Sequence, residues 1–154
     1  CCWLVTRKMG LPAGAVADAV GLALPLCLAV ARVGCFLNGC CGGKPSGLPW
    51  AVTFPGSATP VHPTQIYEMI LDLLVFAFLL KARKALLRDW DLFLVAVGGY
   101  GVVRLLVEFY RFHARPEAAI FFQVLSGLLA AGCAALVYLR ERGGAAAGSG
   151  GGEG

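Results

Sequence analysis

Two oppositely charged side chains, Arg104 and Glu108, lie four residues apart in the stretch DLFLVAVGGYGVVRLLVEFY, which otherwise reads as a lipid-spanning helix. A charged side chain at the centre of a bilayer costs at least about 2.5–3.5 kcal/mol, so ionisable residues there mark functional sites by default. Residues four apart share one helical face, but the arginine-first order is the weaker orientation for such a pair. The pair is therefore a candidate functional site, and an internal ion pair that locks two helices together is the structural alternative.

A second set of polar residues flanks the end of the connection NGCCGGKPSGLPWAVTFPGSATPVHPTQIYE. His62 immediately precedes a proline, and Tyr67 and Glu68 follow about one turn into the next apolar segment. With Arg32, near the end of the preceding apolar segment, these groups are expected to converge on one polar pocket at the outer face. The alternative for His62 is a hydrogen-bonded helix cap.

Small residues and a tyrosine precede Arg104 on its segment. Tyr100 lies one turn earlier and is expected to support Arg104 by a hydrogen bond. The glycines are expected to be close-packing positions between helices; they are Gly98, Gly99 and Gly101.

Seven cysteines raise the question of a redox or metal site. Cys35, Cys40 and Cys41 form the cluster CFLNGCC, whose spacing matches no standard zinc pattern. A disulfide between Cys35 and Cys40 is the alternative on an oxidising outer face. We expect no metal site, and we expect burial against apolar side chains to raise the thiol pKa values and keep the cluster inert.

Composition indicates an integral membrane protein. The 154 residues are 58% hydrophobic and 14% charged, whereas a soluble domain is about 25% charged. The net charge of +4 comes from basic residues at segment ends, so it requires no nucleic-acid partner. No cofactor is expected.

Four apolar segments predict an all-α membrane domain over residues 1–142, with about four transmembrane helices and an irregular outer-face loop. The spans are predicted at about 11–37, 64–80, 92–110 and 118–139, each close to the ~20 residues that a bilayer requires. Pro25 is expected to kink the first span, and Asp72 is expected to pair within the bundle. The Gly-rich residues 143–154 predict a disordered tail.

Lysine and arginine are unevenly distributed between the two sets of segment ends. The rich set comprises Arg7, Lys8, Lys81, Arg83, Lys84, Arg88, Arg140 and Arg142, and the poor set comprises Lys44, Arg111 and Arg115. The positive-inside rule makes the first side cytoplasmic. Both termini are therefore expected in the cytoplasm, with the connection between Asn38 and Pro63 outside.

Three motifs, in this order, resemble the prolipoprotein diacylglyceryl transferase family. ARVGCFLNGCCGG is similar to the family's Gly-Arg-x-Gly-Asn-Phe-x-Asn-x-Glu segment with its closing Gly, and VHPTQIYE is similar to His-Pro-Ser/Thr-Gln-x-Tyr-Glu. GGYGVVRLLVEFYR resembles Gly-Tyr-Gly…Arg…Val-Glu-Phe-x-Arg. Ala31, Cys35 and Cys40 replace the family's Gly, Asn and Glu, so the chain resembles a divergent, cysteine-bearing member. The family's early His-Gly-Gly motif is missing, and we expect the chain to be the C-terminal part of a longer protein.

The resemblance implies transfer of a diacylglyceryl group from phosphatidylglycerol to the lipobox cysteine thiol of a prolipoprotein. The implied partners are phosphatidylglycerol, the prolipoprotein signal peptide and the bilayer of the bacterial cytoplasmic membrane. The catalytic candidates are Arg104, which recognises phosphate through its planar fork, Glu108, which orients Arg104, and His62, which assists thiol deprotonation. The substrate-binding candidates are Arg32, Asn38, Gly43, Tyr67, Glu68 and Tyr100.

Two other classes of function stay open at this point. The first is a non-catalytic, lipid-binding membrane relative, which a lipid-transfer assay would separate from an enzyme. The second is a thiol-redox or metal membrane protein that uses the cysteine cluster, which thiol counting and metal analysis would identify.

Overall fold

Four α-helices, in chain order, make up the fold of this protein. The computed structural model describes residues 10–84, 89–111 and 116–149, and within the last range the side chains of residues 120–140. The helices are α1 (Ala13–Leu37), α2 (Thr64–Ala82), α3 (Asp91–Glu108) and α4 (Pro116–Ser149). The described residues contain isolated β-bridges but no strand, so the all-α class is confirmed.

The helix bounds follow the predicted spans closely in α1, α2 and α3 and differ in α4. This helix continues past Leu139 to Ser149, whereas the sequence predicted a Gly-rich tail from residue 143. The alanines at 145–147 have the highest helix propensity of any residue type, which favours this extension. Residues 150–154 lie outside the described residues, and the division into membrane domain and tail stays a prediction. Pro25 lies inside α1, which continues on both sides of it.

Helix α3 contacts each of the other three helices. Its approach to α1 is close, because a Cβ atom at Gly21 would lie 2.5 Å from the Cα of Phe93. The predicted close-packing role of three glycines in α3 is confirmed. Added Cβ atoms would lie 2.9–3.1 Å from atoms of α2 or α4 at Gly98, Gly99 and Gly101.

Polar contacts fasten the helices at the end where α3 begins. The Asp18 carboxylate of α1 accepts hydrogen bonds from the backbone N–H groups of Trp90 and Phe93, each at 3.0 Å. It therefore satisfies donors that the first turn of α3 leaves unpaired. Arg140 of α4 donates to Asp91 Oδ1 at 3.1 Å, which ties α4 to the same end.

The distribution of polar and apolar side chains is the reverse of that in a soluble protein. Gln65, Glu68 and Asp72 of α2 are each at most 2% exposed, whereas Val30 and Leu74 are 66% and 60% exposed. Buried charges with apolar outward faces are typical of helices in a bilayer. By length and composition, α1 and residues Ile120–Arg140 within α4 are apolar enough to cross a membrane. These features are those of a membrane protein.

The connection between α1 and α2 is irregular and folds back onto the helix ends. Its residues form isolated antiparallel bridges, among them Gly43 with Arg111 and Val52 with Val61. Phe54 is buried, and its ring packs edge-on against Phe36 of α1 with 5.6 Å between the ring centroids. This packing holds the connection over the end of the bundle where α1 ends and α2 begins.

Candidate active site

Glu68 lies at the centre of a cluster of arginines. Its side chain is 3% exposed and pairs with guanidinium groups from three separate segments. Arg104 Nη1 donates to Glu68 Oε1 at 2.8 Å, and Arg111 Nη1 donates to the same oxygen at 3.1 Å. Arg32 Nε contacts the other oxygen, Oε2. One buried carboxylate therefore gathers three guanidinium groups, which we call the arginine cluster.

Every helix contributes to this cluster. Glu68 comes from α2, Arg32 from the last turns of α1, Arg104 from α3, and Arg111 from the turn that follows α3. Helix α4 contributes an aromatic face, because the Phe122 ring centroid lies 5.9 Å from the guanidinium carbon of Arg104. This distance is within the range of cation–π attraction. The site therefore depends on the packing of the whole bundle.

Glu108 is the second carboxylate beside Arg104. Its Oε2 lies 3.6 Å from Arg104 Nη2, which is an ion pair but longer than a hydrogen bond. The sequence predicted that Glu108 orients Arg104. In the structure the shorter contact to Arg104 comes from Glu68, which lies 36 residues earlier in the chain.

The cluster carries an excess of positive charge. Among the described groups in direct contact, three guanidinium groups outnumber the two carboxylates Glu68 and Glu108. Each guanidinium has five N–H donors in a rigid fork. Because Glu68 engages only part of each fork, the arginines retain donors for an anionic ligand.

Arg111 is the member of the cluster that sequence reasoning missed as a site residue. The sequence places it only among the outer segment ends, where it serves to infer topology. The signal was present, because Arg111 is the last residue of the motif GGYGVVRLLVEFYR. The chain turns after Glu108, and Arg111 N–H donates to the Glu108 carbonyl at 3.2 Å, so this residue returns toward the bundle.

An aromatic pocket adjoins the arginine cluster. His62 Nδ1 lies 3.2 Å from the Tyr67 hydroxyl, which accepts a hydrogen bond from Trp50 Nε1 at 2.9 Å. The Tyr110 ring lies 5.3 Å from the His62 ring. These four side chains line a pocket of about 410 Å³ whose other walls are apolar. Of the residues predicted to share one pocket, His62 and Tyr67 line this pocket, whereas Glu68 and Arg32 contact each other in the arginine cluster.

Gly43 lies where the outer connection crosses the segment after α3. Its N–H donates to the His62 carbonyl at 2.9 Å, and Lys44 N–H donates to the Tyr110 carbonyl at 2.9 Å. A Cβ atom at Gly43 would lie 2.5 Å from that Tyr110 oxygen and 2.8 Å from the Cβ of His62. A side chain at this position would therefore displace the segments that carry His62 and Arg111.

Three other residues that the sequence singled out have contacts of their own. Asn38 is exposed and follows α1, where its backbone N–H donates to the Gly34 carbonyl at 3.0 Å. Tyr100 interacts electrostatically with Arg32. Asp72, one turn after Glu68, is 1% exposed, and its carboxylate oxygens have no hydrogen-bond partner within the described part of the chain. Asp72 was predicted to pair within the bundle, and its interaction there is electrostatic, with Arg32.

The cysteine cluster forms at the end of α1. Cys40 N–H donates to the Cys35 carbonyl at 3.2 Å and Gly39 N–H to the Phe36 carbonyl at 3.0 Å, with Gly39 at a φ of 69°. This pattern is a Schellman motif, which brings the side chains of Cys35 and Cys40 together. The Sγ atoms of Cys35, Cys40 and Cys41 all lie within 4.8 Å of one another, close enough to share a metal ion.

The thiols of this cluster do not behave alike. Cys41 Sγ donates to Cys40 Sγ at 3.6 Å, and this hydrogen bond lowers the pKa of the Cys40 thiol below its ordinary value. Burial raises the pKa of the Cys41 thiol. The prediction that burial raises the pKa of every thiol in the cluster is therefore wrong for Cys40.

Comparisons with known proteins agree with the motif resemblance. Residues 1–139 match the family model described as prolipoprotein diacylglyceryl transferase. A phosphatidylglycerol–prolipoprotein diacylglyceryl transferase of Bordetella avium is 37% identical over 132 residues, covering 84% of this chain and 48% of the relative. Proteins of the same name from Methylocella silvestris and Zymomonas mobilis are 36% and 44% identical over 151 and 101 residues. These matches cover 90% and 62% of this chain, and 55% and 35% of those relatives. The chain thus spans about half the length, or less, of these curated relatives.

Proposed function

The chain belongs to the prolipoprotein diacylglyceryl transferase family, and we propose that the full-length protein transfers a diacylglyceryl group from phosphatidylglycerol to the lipobox cysteine thiol of a prolipoprotein. In this reaction a thioether forms and glycerol phosphate leaves. The proposal is supported by relatives, 36–44% identical, that are named for this activity. It is supported further by the chemistry of the arginine cluster.

The observation that carries the proposal is the convergence of three guanidinium groups on buried Glu68. The phosphodiester of phosphatidylglycerol is an anion, and the three guanidinium groups of the cluster are cations that attract it. Guanidinium forks bind phosphate oxygens bidentately. The departing phosphate gains a second negative charge, and fixed donors in a site that excludes water stabilise such developing charge strongly.

The proposed roles follow from the contacts of each residue. Arg104 and Arg32 bind the phosphate, and Arg111 joins them as a third donor. Glu68 holds the three guanidinium groups in place, and Glu108 adds a second negative charge beside Arg104. Asn38, Gly43, Tyr67 and Tyr100 are proposed to line the substrate site, as the family motifs suggest.

His62 is the proposed base for the acceptor thiol in the part of the protein that this chain represents. In the tautomer whose Nδ1–H donates to the Tyr67 hydroxyl, Nε2 is the atom that accepts a proton. The apolar walls of the adjoining pocket suit the hydrocarbon part of a substrate. A thiol must lose its proton before it attacks carbon, because the thiolate is the nucleophile.

We further propose that all four helices cross the bacterial cytoplasmic membrane and that both ends of this chain are cytoplasmic. Exposed basic residues Lys81, Arg83 and Lys84 lie at one end of the bundle, and the positive-inside rule assigns that end to the cytoplasm. Arg7, Lys8, Arg88 and Arg115, which also entered the prediction, lie outside the described residues, as does the side chain of Arg142. The arginine cluster would then open toward the outer leaflet.

A transfer assay with the full-length protein tests the function directly. Membranes that contain the protein would receive labelled phosphatidylglycerol and a peptide with a lipobox cysteine, and thioether-linked product would be measured by mass spectrometry. The expected result is product formation that requires both the cysteine and phosphatidylglycerol. Lipid binding without product formation would contradict the proposal and favour a non-catalytic lipid-binding relative. Arg83→Lys, an exposed change far from the cluster, is the control variant and should form product at an unchanged rate.

A further inference from the structure

The cysteine cluster has the dimensions of a metal site. Zinc binds thiolates at about 2.3 Å in tetrahedral geometry, which places two sulfurs on one ion about 3.8 Å apart. The three Sγ atoms lie within 4.8 Å of one another, and those of Cys40 and Cys41 are already 3.6 Å apart. The spacing of these cysteines argued against zinc, but the Schellman motif at Gly39 folds Cys40 back over Cys35.

The backbone around the cluster is held in a strained arrangement. Cys41 has a φ of 65°, a left-handed conformation that costs a residue with a side chain roughly 1–2 kcal/mol. Gln65 Nε2 donates to the Cys40 carbonyl at 2.6 Å, and Thr64 Oγ1 donates to the Cys41 carbonyl at 2.8 Å. Such strain persists only where the surroundings determine it, and it concentrates at functional sites. The two neighbouring thiols are thus fixed beside Cys35.

The cluster also lies in the electrostatic field of the arginine cluster. Arg32 interacts with Cys35 and Cys41, and Arg111 interacts with Cys41. The sulfur atoms therefore lie next to the groups that the proposed function assigns to the lipid phosphate.

We propose that Cys35, Cys40 and Cys41 bind one zinc ion as three thiolates and leave its fourth position open for the acceptor thiol. Thiolate ligands select soft or borderline cations such as zinc, and three protein ligands with one open position are the arrangement of catalytic zinc. Cys41 is exposed, so the open position is accessible. The role of this ion rests on the proposed transferase function, whereas the binding of zinc does not.

The ion would activate the acceptor thiol by coordination, since a thiol that coordinates zinc is deprotonated outright. The thiol displaces water from the ion, and its S–H proton passes to His62, the base proposed above, and from there to solvent. The sulfur then attacks the glyceryl carbon, so that a C–S bond forms and the C–O bond to phosphate breaks. Its electron pair stays on the departing phosphate oxygen, beside Arg32 and Arg104, and water returns to the ion.

Metal content and transfer activity of the full-length protein test this proposal together. The protein would be produced with added zinc, purified without oxygen, and analysed for zinc by mass spectrometry. Cobalt substitution adds a second readout, because thiolate ligation gives a sulfur-to-cobalt charge-transfer band. We expect about one zinc per chain and about tenfold or greater loss of zinc affinity in Cys41→Ser. Cys27→Ser, on the exposed face of α1 and outside the cluster, is the matched control and should keep the metal.

A chelator titration of the unchanged protein avoids any folding defect of the variants. Loss of transfer on chelation, with recovery on adding zinc back, would support the role of the ion. Absence of stoichiometric zinc and of the cobalt band, or a disulfide among the three cysteines, would overturn the site. Full transfer by metal-free protein would overturn the role of zinc and leave the proposed function intact. Stoichiometric zinc in a protein that transfers nothing would support the site and contradict the proposed function.

Discussion

Arg104 donates a 2.8 Å hydrogen bond to Glu68 across the contact between α3 and α2, whereas Glu108, on its own helix, lies 3.6 Å away. The cross-helix partner is therefore the principal carboxylate of this arginine. Because Glu68 also binds Arg32 and Arg111, the position of each guanidinium depends on the same buried group. Substitution of Glu68 should therefore affect all three arginines, whereas substitution of one arginine should affect mainly the contacts of that arginine.

Arg104→Lys should lower the transfer rate of the full-length protein by about 100-fold or more, the range seen when one donor to a developing oxyanion is removed. Lysine keeps the charge but not the planar fork that contacts Glu68 and a phosphate at once. Initial rates at saturating phosphatidylglycerol would measure the effect. Arg83→Lys should leave the rate unchanged. If Arg104→Lys retains activity within a few-fold at normal membrane levels, Arg104 is structural.

Arg32→Ala should act mainly on lipid binding. Arg32 reaches Glu68 through Nε, so the rest of its fork can contact the lipid headgroup before the reaction begins. We expect the KM for phosphatidylglycerol to rise about tenfold with a smaller change in kcat, the pattern of an interaction made equally in the ground and transition states. Rates over a series of lipid concentrations would show this. A fall in kcat at constant KM would place Arg32 in the chemical step.

Glu68→Gln should be more damaging than Glu108→Gln, because glutamine at position 68 leaves three guanidinium groups facing one carboxylate. Removing one partner of a buried ion pair costs about 3–5 kcal/mol, so both the melting temperature and the transfer rate should fall. Glu108→Gln should lower the rate with a smaller change in melting temperature. Thermal unfolding in detergent and initial rates would be compared for the two variants. Equal effects, or a larger effect at Glu108, would contradict the central role of Glu68.

Gly43→Ala should destabilise the protein by about 1–3 kcal/mol, as overpacking does in a close-packed contact. The added Cβ would lie 2.5 Å from the Tyr110 carbonyl oxygen, whereas a Cβ at Gly47, in the same connection, meets nothing within 4 Å. Gly47→Ala is therefore the matched control. Thermal unfolding would show a lowered melting temperature for Gly43→Ala alone. An unchanged melting temperature with weakened lipid binding would instead favour the headgroup contact predicted for Gly43.

Much of the helix pattern could be predicted because it depends on local composition. Runs of apolar residues, bounded by Pro63 and by basic residues, set α1, α2 and α3 within two residues of their observed bounds. The end of α4 could not be predicted in this way, since its last residues combine helix-breaking glycines with helix-favouring alanines. The three glycines of α3 were correctly predicted as packing positions, because small residues at helical spacing have few other uses in a membrane.

The sequence indicated which residues belong to the candidate site better than it indicated the contacts between them. The sequence made Arg32, His62, Tyr67, Glu68 and Arg104 candidates, because charged and polar residues stand out in apolar segments. That Glu68 is shared by three arginines depends on how α1, α2 and α3 cross, which one sequence does not reveal. The closeness of the three cysteine side chains could not be predicted, for a local reason. The cysteines are spaced unlike a zinc motif along the chain, but the turn at Gly39 brings them together.

The orientation of the bundle in the membrane can be tested by cysteine labelling at Gly47 and Lys84. Both positions are exposed, so burial cannot explain a failure to label. Position 47 lies in the connection where α1 ends and α2 begins, and position 84 lies at the opposite end, just after α2. Gly47→Cys and Lys84→Cys would be introduced separately into a protein whose native cysteines are replaced by serine. If the basic end is cytoplasmic, an impermeant maleimide should label position 47 in intact cells and position 84 only after permeabilisation. Labelling at 84 but not at 47 in intact cells would invert the topology and place the arginine cluster at the cytoplasmic leaflet, where it could not meet an acceptor thiol on the outer face.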